Sequence, residues 1–247
     1  MCRLFAALVD PRRHHRFALL DAPRSLAWLS EEHPHGWGVA VWAEEQGWQV
    51  EKRPVRAKDC EAYRDAAARE GNLVLAHVRQ RTVGPQGIEN THPFRRGRWV
   101  FAHNGTIEDL DWLRDQTASR YRAACEGSTD SELFFSYLLT ALDAAGRVDA
   151  DPDARTDLAV TDALRSALAR PRFGAVNFLL TDGRTLYAHR WGRTMFVTDG
   201  PHGAMVASEA LTDDPWRPVE EGALLRCDQR VGAGWRVVSS SARCPAP

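Results

Sequence analysis

Several things are scarce in this 247-residue chain, and each scarcity removes a class of protein. Charge of one sign is missing: 32 Lys and Arg stand against 33 Asp and Glu, a formal charge of −1. A near-neutral balance takes away the main electrostatic argument for a nucleic-acid partner or an anionic membrane surface. Long apolar runs are missing too. The best, Leu133 to Leu142, is broken by Ser136, Tyr137 and Thr140, and a span needs about 18 apolar residues. Leu4 to Val9 is too short for a signal peptide and ends at Asp10-Pro11, so the expected compartment is the cytoplasm. The five cysteines are odd in number, widely spaced and form no C-x-x-C pair, which fits neither a disulfide framework nor a structural zinc site. No glycine-rich phosphate loop, internal repeat or interdomain linker is present.

The remaining pattern is that of an ordinary soluble globular chain, 44% hydrophobic and 26% charged. Strands are expected at Leu4 to Val9, Leu73 to Val78 and Trp99 to Ala102, with a hairpin joining Val39–Trp42 to Trp48–Lys52. Lys58 to Glu70 reads as a helix stopped by Gly71-Asn72. Thr106 is placed to cap a helix through Arg114. Asp130 to Ala144 follows Ser128-Thr129, with Glu132 near the capping-box position, and Asp157 to Ala169 is a further amphipathic helix. Short strands follow, from Ala175 to Ser239, with an Asp182-Gly183 hairpin between the first two. The tail from about 239 reads as frayed. Strands, then helices, then strands argue for one α+β domain over residues 1–247 with sheets and helices in layers, rather than for alternating βαβ units.

Four features could carry chemistry. Cys2 follows the initiator Met, and removal of Met1 would leave a thiol and a free α-amine on one carbon. The amine, with a reference pKa of roughly 7.7–8.0, suits a general base working beside a thiolate nucleophile. Arg79, ending His77-Val78-Arg79, offers a planar fork for a carboxylate. Asn104 and Gly105 could supply oxyanion-hole donors, each worth about 3 kcal/mol of transition-state stabilisation. Asp130 could hold an ammonium. Each has a plain alternative: a chance cysteine, a surface arginine, an Asn-Gly turn, a helix cap. Two further arrangements are weighed. One is a papain-like cysteine–histidine pair using His77, His92 or His103. The other is a metal site from His14, His15, His33 and His35, disfavoured because no carboxylate cluster accompanies them.

Taken together and in order, the residues are specific. Met1-Cys2-Arg3-Leu4, Gly36-Trp37-Gly38, His77-Val78-Arg79, Asn90 to Phe94, Phe101 to Gly105 and Thr129 to Glu132 resemble the class II glutamine amidotransferases. The glutaminase domain of that family belongs to the N-terminal-nucleophile hydrolases. Val206 to Glu209 and Thr212 to Trp216 look like its compact, stand-alone members. The resemblance implies a four-layer αββα sandwich, Cys2 as nucleophile and its own amine as base. It implies Arg79 on the substrate α-carboxylate, Asp130 on the α-ammonium and Asn104 with Gly105 at the oxyanion. Thr82 and His92 match positions that line or support the substrate pocket. No metal and no cofactor is called for. One departure is His35, where the family commonly has Asp before its glycine-tryptophan-glycine motif.

The expected partner is a small molecule, glutamine or a γ-glutamyl amide, with no nucleic acid and no membrane. Three readings stay open: a glutaminase supplying ammonia to a separate synthase subunit, a hydrolase of a specific γ-glutamyl metabolite as in ergothioneine or glutathione pathways, and a non-catalytic module retaining the fold.

Overall fold

The parity of apolar residues along the strands explains the layers. The computed structural model describes residues 2–200, 203–229 and 234–240. In β1 (Arg3–His14), Leu4, Ala6 and Leu8 point one way while Phe5, Ala7 and Val9 point the other, and all six are buried. A strand covered on both faces must lie between two layers. The first set meets Val100, Ala102 and Leu179 of a second sheet. The second set meets a π-helical turn (Phe17–Asp21), α1 (Leu26–Leu29) and α2 (Glu61–Ala67).

β1 lies inside a seven-stranded antiparallel sheet that also contains β2 (Trp37–Ala43), β3 (Gly47–Arg53), β4 (Glu70–Val78), β9 (Phe196–Gly200), β10 (Gly203–Ala207) and β11 (Arg217–Pro218). The order is β11-β9-β10-β1-β4-β2-β3. The second sheet runs β13-β12-β8-β7-β6-β5. It comprises β5 (Phe94–Arg96), β6 (Trp99–Ile107), β7 (Gly174–Thr181), β8 (Thr185–His189), β12 (Ala223–Asp228) and β13 (Arg236–Ser240). Its outer face, with Phe101, Val176, Phe178 and Leu180, packs on α3 (Leu110–Gln116), α5 (Asp130–Ala144) and α6 (Ala154–Leu168). A short α4 (Ser119–Ala123) joins α3 to α5. The architecture is the expected αββα sandwich.

Several local expectations change. The helix expected over 58–70 stops at Ala67, because Glu70 and Gly71 already pair with His14 and Arg13 in the sheet. Thr106 caps nothing; it belongs to β6, and Asp109 caps α3 by accepting the Trp112 amide. Thr129 caps α5 through the Glu132 amide (3.3 Å), but no capping box closes. The Glu132 carboxylate instead accepts the amides of Glu126 (3.0 Å) and Gly127 (2.7 Å) and binds Arg96 (2.6 Å). Of the tail expected to fray from 239, Ser239 and Ser240 pair with β12, and 241–247 lie outside the described residues. Among the described residues no helix is long and apolar enough to cross a membrane.

Candidate active site

Strand register brings the first two candidates together. β1 and β4 run antiparallel with Arg3 opposite Val78 and Leu4 opposite His77, so Cys2 continues the ladder opposite Arg79. The half-buried Cys2 thiol is bracketed by the Gln80 backbone: its Sγ donates to the Gln80 carbonyl and accepts the Gln80 amide, both at 3.3 Å. By strand parity Cys2 extends the row Leu4, Ala6, Leu8, and Arg79 extends Leu73 and Leu75. The apolar members of both rows face the space between the sheets. Asn104 continues Val100 and Ala102 and faces the same space from β6.

Arg79 is nearly fully buried at 3% exposure. Its main chain is stapled to the segment before β2: its amide donates to Gly36 O (2.7 Å) and its carbonyl accepts the His35 amide (3.0 Å). Its guanidinium donates to the carbonyls of Val83 (2.8 Å) and Pro85 (3.2 Å) in the loop over 80–93. Burial lowers its pKa, offset in part by the fields of Cys2, Glu89 and Asp130. His35, the departure from the family pattern, accepts the Arg81 amide through Nδ1 at 3.3 Å. It therefore pins the chain just after Arg79.

Asn90 connects this loop to α5. Its amide nitrogen donates to Pro85 O (3.2 Å), the carbonyl that Arg79 also holds, and its Oδ1 accepts the Ser128 amide (2.8 Å). Two residues on, Asp130 opens α5 and is buried. It accepts the Ile107 amide on Oδ2 (2.7 Å) and the Ser131 amide on Oδ1 (2.9 Å), which ties α5 to the end of β6. The Ser131 hydroxyl also lies 3.4 Å from Oδ1; a carboxylate has about four acceptor sites, so capacity for an ammonium is left.

Asn104 and Gly105 do not form a turn. They lie within β6, opposite Asn177 and Val176 of β7. Glycine is required at 105 by proximity: a Cβ there would stand 1.9 Å from the Ala175 carbonyl oxygen. Asn177 fixes the adjoining turn, accepting the amides of Trp191 (2.9 Å) and Arg193 (3.1 Å). The motif at Gly36–Gly38 is explained in the same way. A Cβ on Gly38 would meet the His92 carbonyl at 2.1 Å, so glycine lets the segment entering β5 cross β2.

The histidines take other work. His103 points to the helix side. Its Nε2 donates to the Ala175 carbonyl (3.0 Å), leaving Nδ1 to accept the Ser131 hydroxyl (2.8 Å). His77 and His92 stack on each other at 4.3 Å, and His92 also packs on Phe94 at 4.5 Å. None of the three bonds the Cys2 thiol, so a papain-like pair is not built. His92 is buried, whereas Thr82 is exposed on the loop. His14, His15, His33 and His35 do not converge into a metal-binding cluster among the described residues. Burial pushes the Cys2 thiol up, with the Gln80 amide and Arg79 acting against it. At neutral pH the sulfur keeps its proton and needs a base.

Gln80, Asn90, His35 and Glu132 were not assigned these roles from sequence. Gln80 acts through its backbone and leaves no side-chain signal. Asn90 sits in a recognised motif whose spacing does not tell what it holds.

Comparison with known proteins identifies the family and the fold. Residues 1–205 match the family described as glutamine amidotransferases class-II. The γ-glutamyl-hercynylcysteine sulfoxide hydrolase of Mycolicibacterium smegmatis is 29% identical over 245 residues, covering 91% of this chain and 95% of that protein. The solved glutamine aminotransferase class-II domain protein of Silicibacter pomeroyi superposes with a TM-score of 0.61 at 23% identity, over 96% of this chain and all of that one. The glutamine phosphoribosylpyrophosphate amidotransferase of B. subtilis gives 0.68 at 18% identity, over 96% of this chain and 49% of its own. These two likenesses show a common fold. With the family match spanning most of its length, the chain belongs to the class II glutamine amidotransferases.

Proposed function

We propose that the protein, as one glutaminase-type domain, hydrolyses the γ-amide of glutamine or of a γ-glutamyl compound through a thioester on Cys2. The observation that carries this reading is the Cys2 thiol held on the Gln80 backbone, next in the chain to buried Arg79, where β1 and β4 end their pairing.

The steps follow from that arrangement. Loss of Met1 frees the Cys2 amine. The amine takes the thiol proton as sulfur attacks the γ-carbonyl carbon, whose π-electrons move onto oxygen. The Asn104 amide and Gly105 stabilise this oxyanion. The ammonium formed on Cys2 then protonates the departing nitrogen, the C–N bond breaks, and the thioester remains. Water, deprotonated by the same amine, attacks the thioester and expels the thiol with glutamate. Arg79 and Asp130 read the carboxylate and ammonium of the glutamyl head. A buried site built to hydrogen-bond those groups rejects analogues lacking them strongly. Free thiols at Cys60, Cys125 and Cys227 support a reducing compartment, the cytoplasm.

The extended match to a hydrolase of γ-glutamyl-hercynylcysteine sulfoxide supports a γ-glutamyl amide of a larger amine over glutamine itself. The alternative is release of ammonia to a separate synthase subunit. A panel of γ-glutamyl amides beside glutamine, read by glutamate release, decides between them. A kcat/KM highest for one substituted amide supports the hydrolase. Glutamine as the best substrate supports the ammonia donor. No glutamate from any member of the panel sinks both.

A further inference from the structure

The segment Val206–Glu209, singled out by its sequence, has no part in the steps above, yet it grips the start of β1. The β10 ladder on β1 ends with Ala207 opposite Phe5. Beyond it, Ser208 takes over. Its amide donates to Leu4 O (3.0 Å), and its Oγ accepts the Leu4 amide (2.9 Å). One buried residue thus satisfies both main-chain groups of Leu4 on that side. Thr194 in turn donates its hydroxyl to Ser208 O (2.9 Å), from the turn that Asn177 fixes opposite Asn104.

Glu209 reaches further. Oε1 pairs with Arg3 Nε at 2.7 Å and Oε2 with Arg24, and the side chain is 18% exposed. Arg3 Nη1 donates to the Cys2 carbonyl at 3.3 Å. Burial alone would raise the Glu209 pKa, but Arg3 and Arg24 more than offset it and hold the carboxyl below its usual value.

We infer that Ser208, through Leu4, and Glu209, through Arg3, are positioning residues that hold the Cys2 backbone so that its thiol and amine stay aimed across the inter-sheet space. The inference rests on the proposed role of Cys2. Chain ends fray unless tied down, and here both reacting groups would hang on the terminal carbon. A displacement of about 1 Å costs on the order of 100-fold in rate, so a nucleophile in this place needs a clamp.

The test uses Glu209→Gln, Glu209→Asp and Ser208→Ala in the full chain. Glu209→Gln should lower kcat on the best γ-glutamyl amide roughly 10- to 100-fold, with KM moving by less than about twofold. Glu209→Asp should restore part of that loss. Labelling of Cys2 by a diazo-ketone glutamine analogue should slow with kcat, while labelling by iodoacetamide should not slow. Amide hydrogen exchange over residues 3–5 should speed up roughly tenfold in Glu209→Gln and in Ser208→Ala. Unchanged kcat, a loss confined to KM, or unchanged exchange over 3–5 overturns the inference. If Glu209→Gln does not fold, Ser208→Ala and Glu209→Asp carry the same readouts. A wild type that neither releases glutamate nor reacts with the analogue sinks the functional reading instead, and exchange over 3–5 still judges the clamp.

Discussion

Two groups of buried polar side chains stand in contrast. At the far end of the second sheet, Arg226 is saturated. It binds Asp157 (2.7 Å), both Asp228 oxygens (2.7 and 2.8 Å) and the Pro152 carbonyl (3.0 Å). Tyr187 completes the group with a hydroxyl bond to Asp157 at 2.7 Å. Around the nucleophile the reverse holds. Both ring nitrogens of His33 and His92, the Trp37 indole nitrogen and Gln80 Oε1 find no partner among the described residues, nor do a few atoms elsewhere, among them Arg147 Nε and Thr198 Oγ1. A buried polar group without a partner costs about 1–3 kcal/mol, so the Arg226 group is the more rigidly bonded of the two. The saturated cluster is scaffold: it locks α6 to β8 and β12. The other group includes Gln80, whose backbone holds the Cys2 thiol.

That contrast can be broken by experiment. The largest effect should come from Cys2→Ala, with glutamate release falling to the assay floor, roughly 10⁶-fold, and no change in melting temperature. Retained turnover would end the assignment. Asn104→Ala should cost about 10²–10³ in kcat while the fold stays intact, measured by steady-state kinetics beside circular dichroism. Arg226→Met should do the opposite. It strands Asp157 and Asp228 and should cost about 3–5 kcal/mol in urea unfolding, with kcat per folded molecule unchanged. A kinetic defect in folded Arg226→Met would dissolve the division between scaffold and site.

The smallest effect is acid sensitivity. Burial lowers the pKa of His15 and His77 to about 3 and of His33 and His189 to about 4. The unfolded chain takes up protons at these histidines near pH 6.5, while the folded chain does not until pH 3 to 4. Their stabilisation is complete above pH 6.5 and is lost as pH falls towards 4. Each contributes a slope of up to about 1.4 kcal/mol per pH unit. His189 donates Nδ1–H to the Val176 carbonyl (2.8 Å), a bond an asparagine can imitate. His189→Asn should therefore flatten the fall in unfolding free energy between pH 6.5 and 4 by one such share. An unchanged slope would show that His189 does not titrate in this way.

Much of the fold can be read along the chain because strand burial imposes a period of two. The doubly apolar run Leu4–Val9 announces a strand between layers, and the wholly apolar Trp99–Ala102 announces another. Errors fell where a distant partner overrides local preference. Glu70 and Gly71 carry helix-ending chemistry but are drawn into the sheet by Arg13 and His14. Asn104-Gly105 has the composition of a turn, yet β7 holds it extended, and the closeness of Ala175 is why glycine stands there. Glu132 fits a capping box in spacing, but Arg96 and two loop amides compete for its carboxylate.

Residue identity and order carry the family resemblance, and with it the expected roles of Cys2, Arg79 and Asp130, while the strand-rich layers follow from side-chain period, a local property. How Cys2 comes to face Arg79, why Asp130 ends at the tip of β6, and what grips Leu4 and Arg3 from 204 and 206 residues away are matters of register and layer packing. Those contacts join segments that no local preference brings together, so they exist only once both sheets have closed on their shared core.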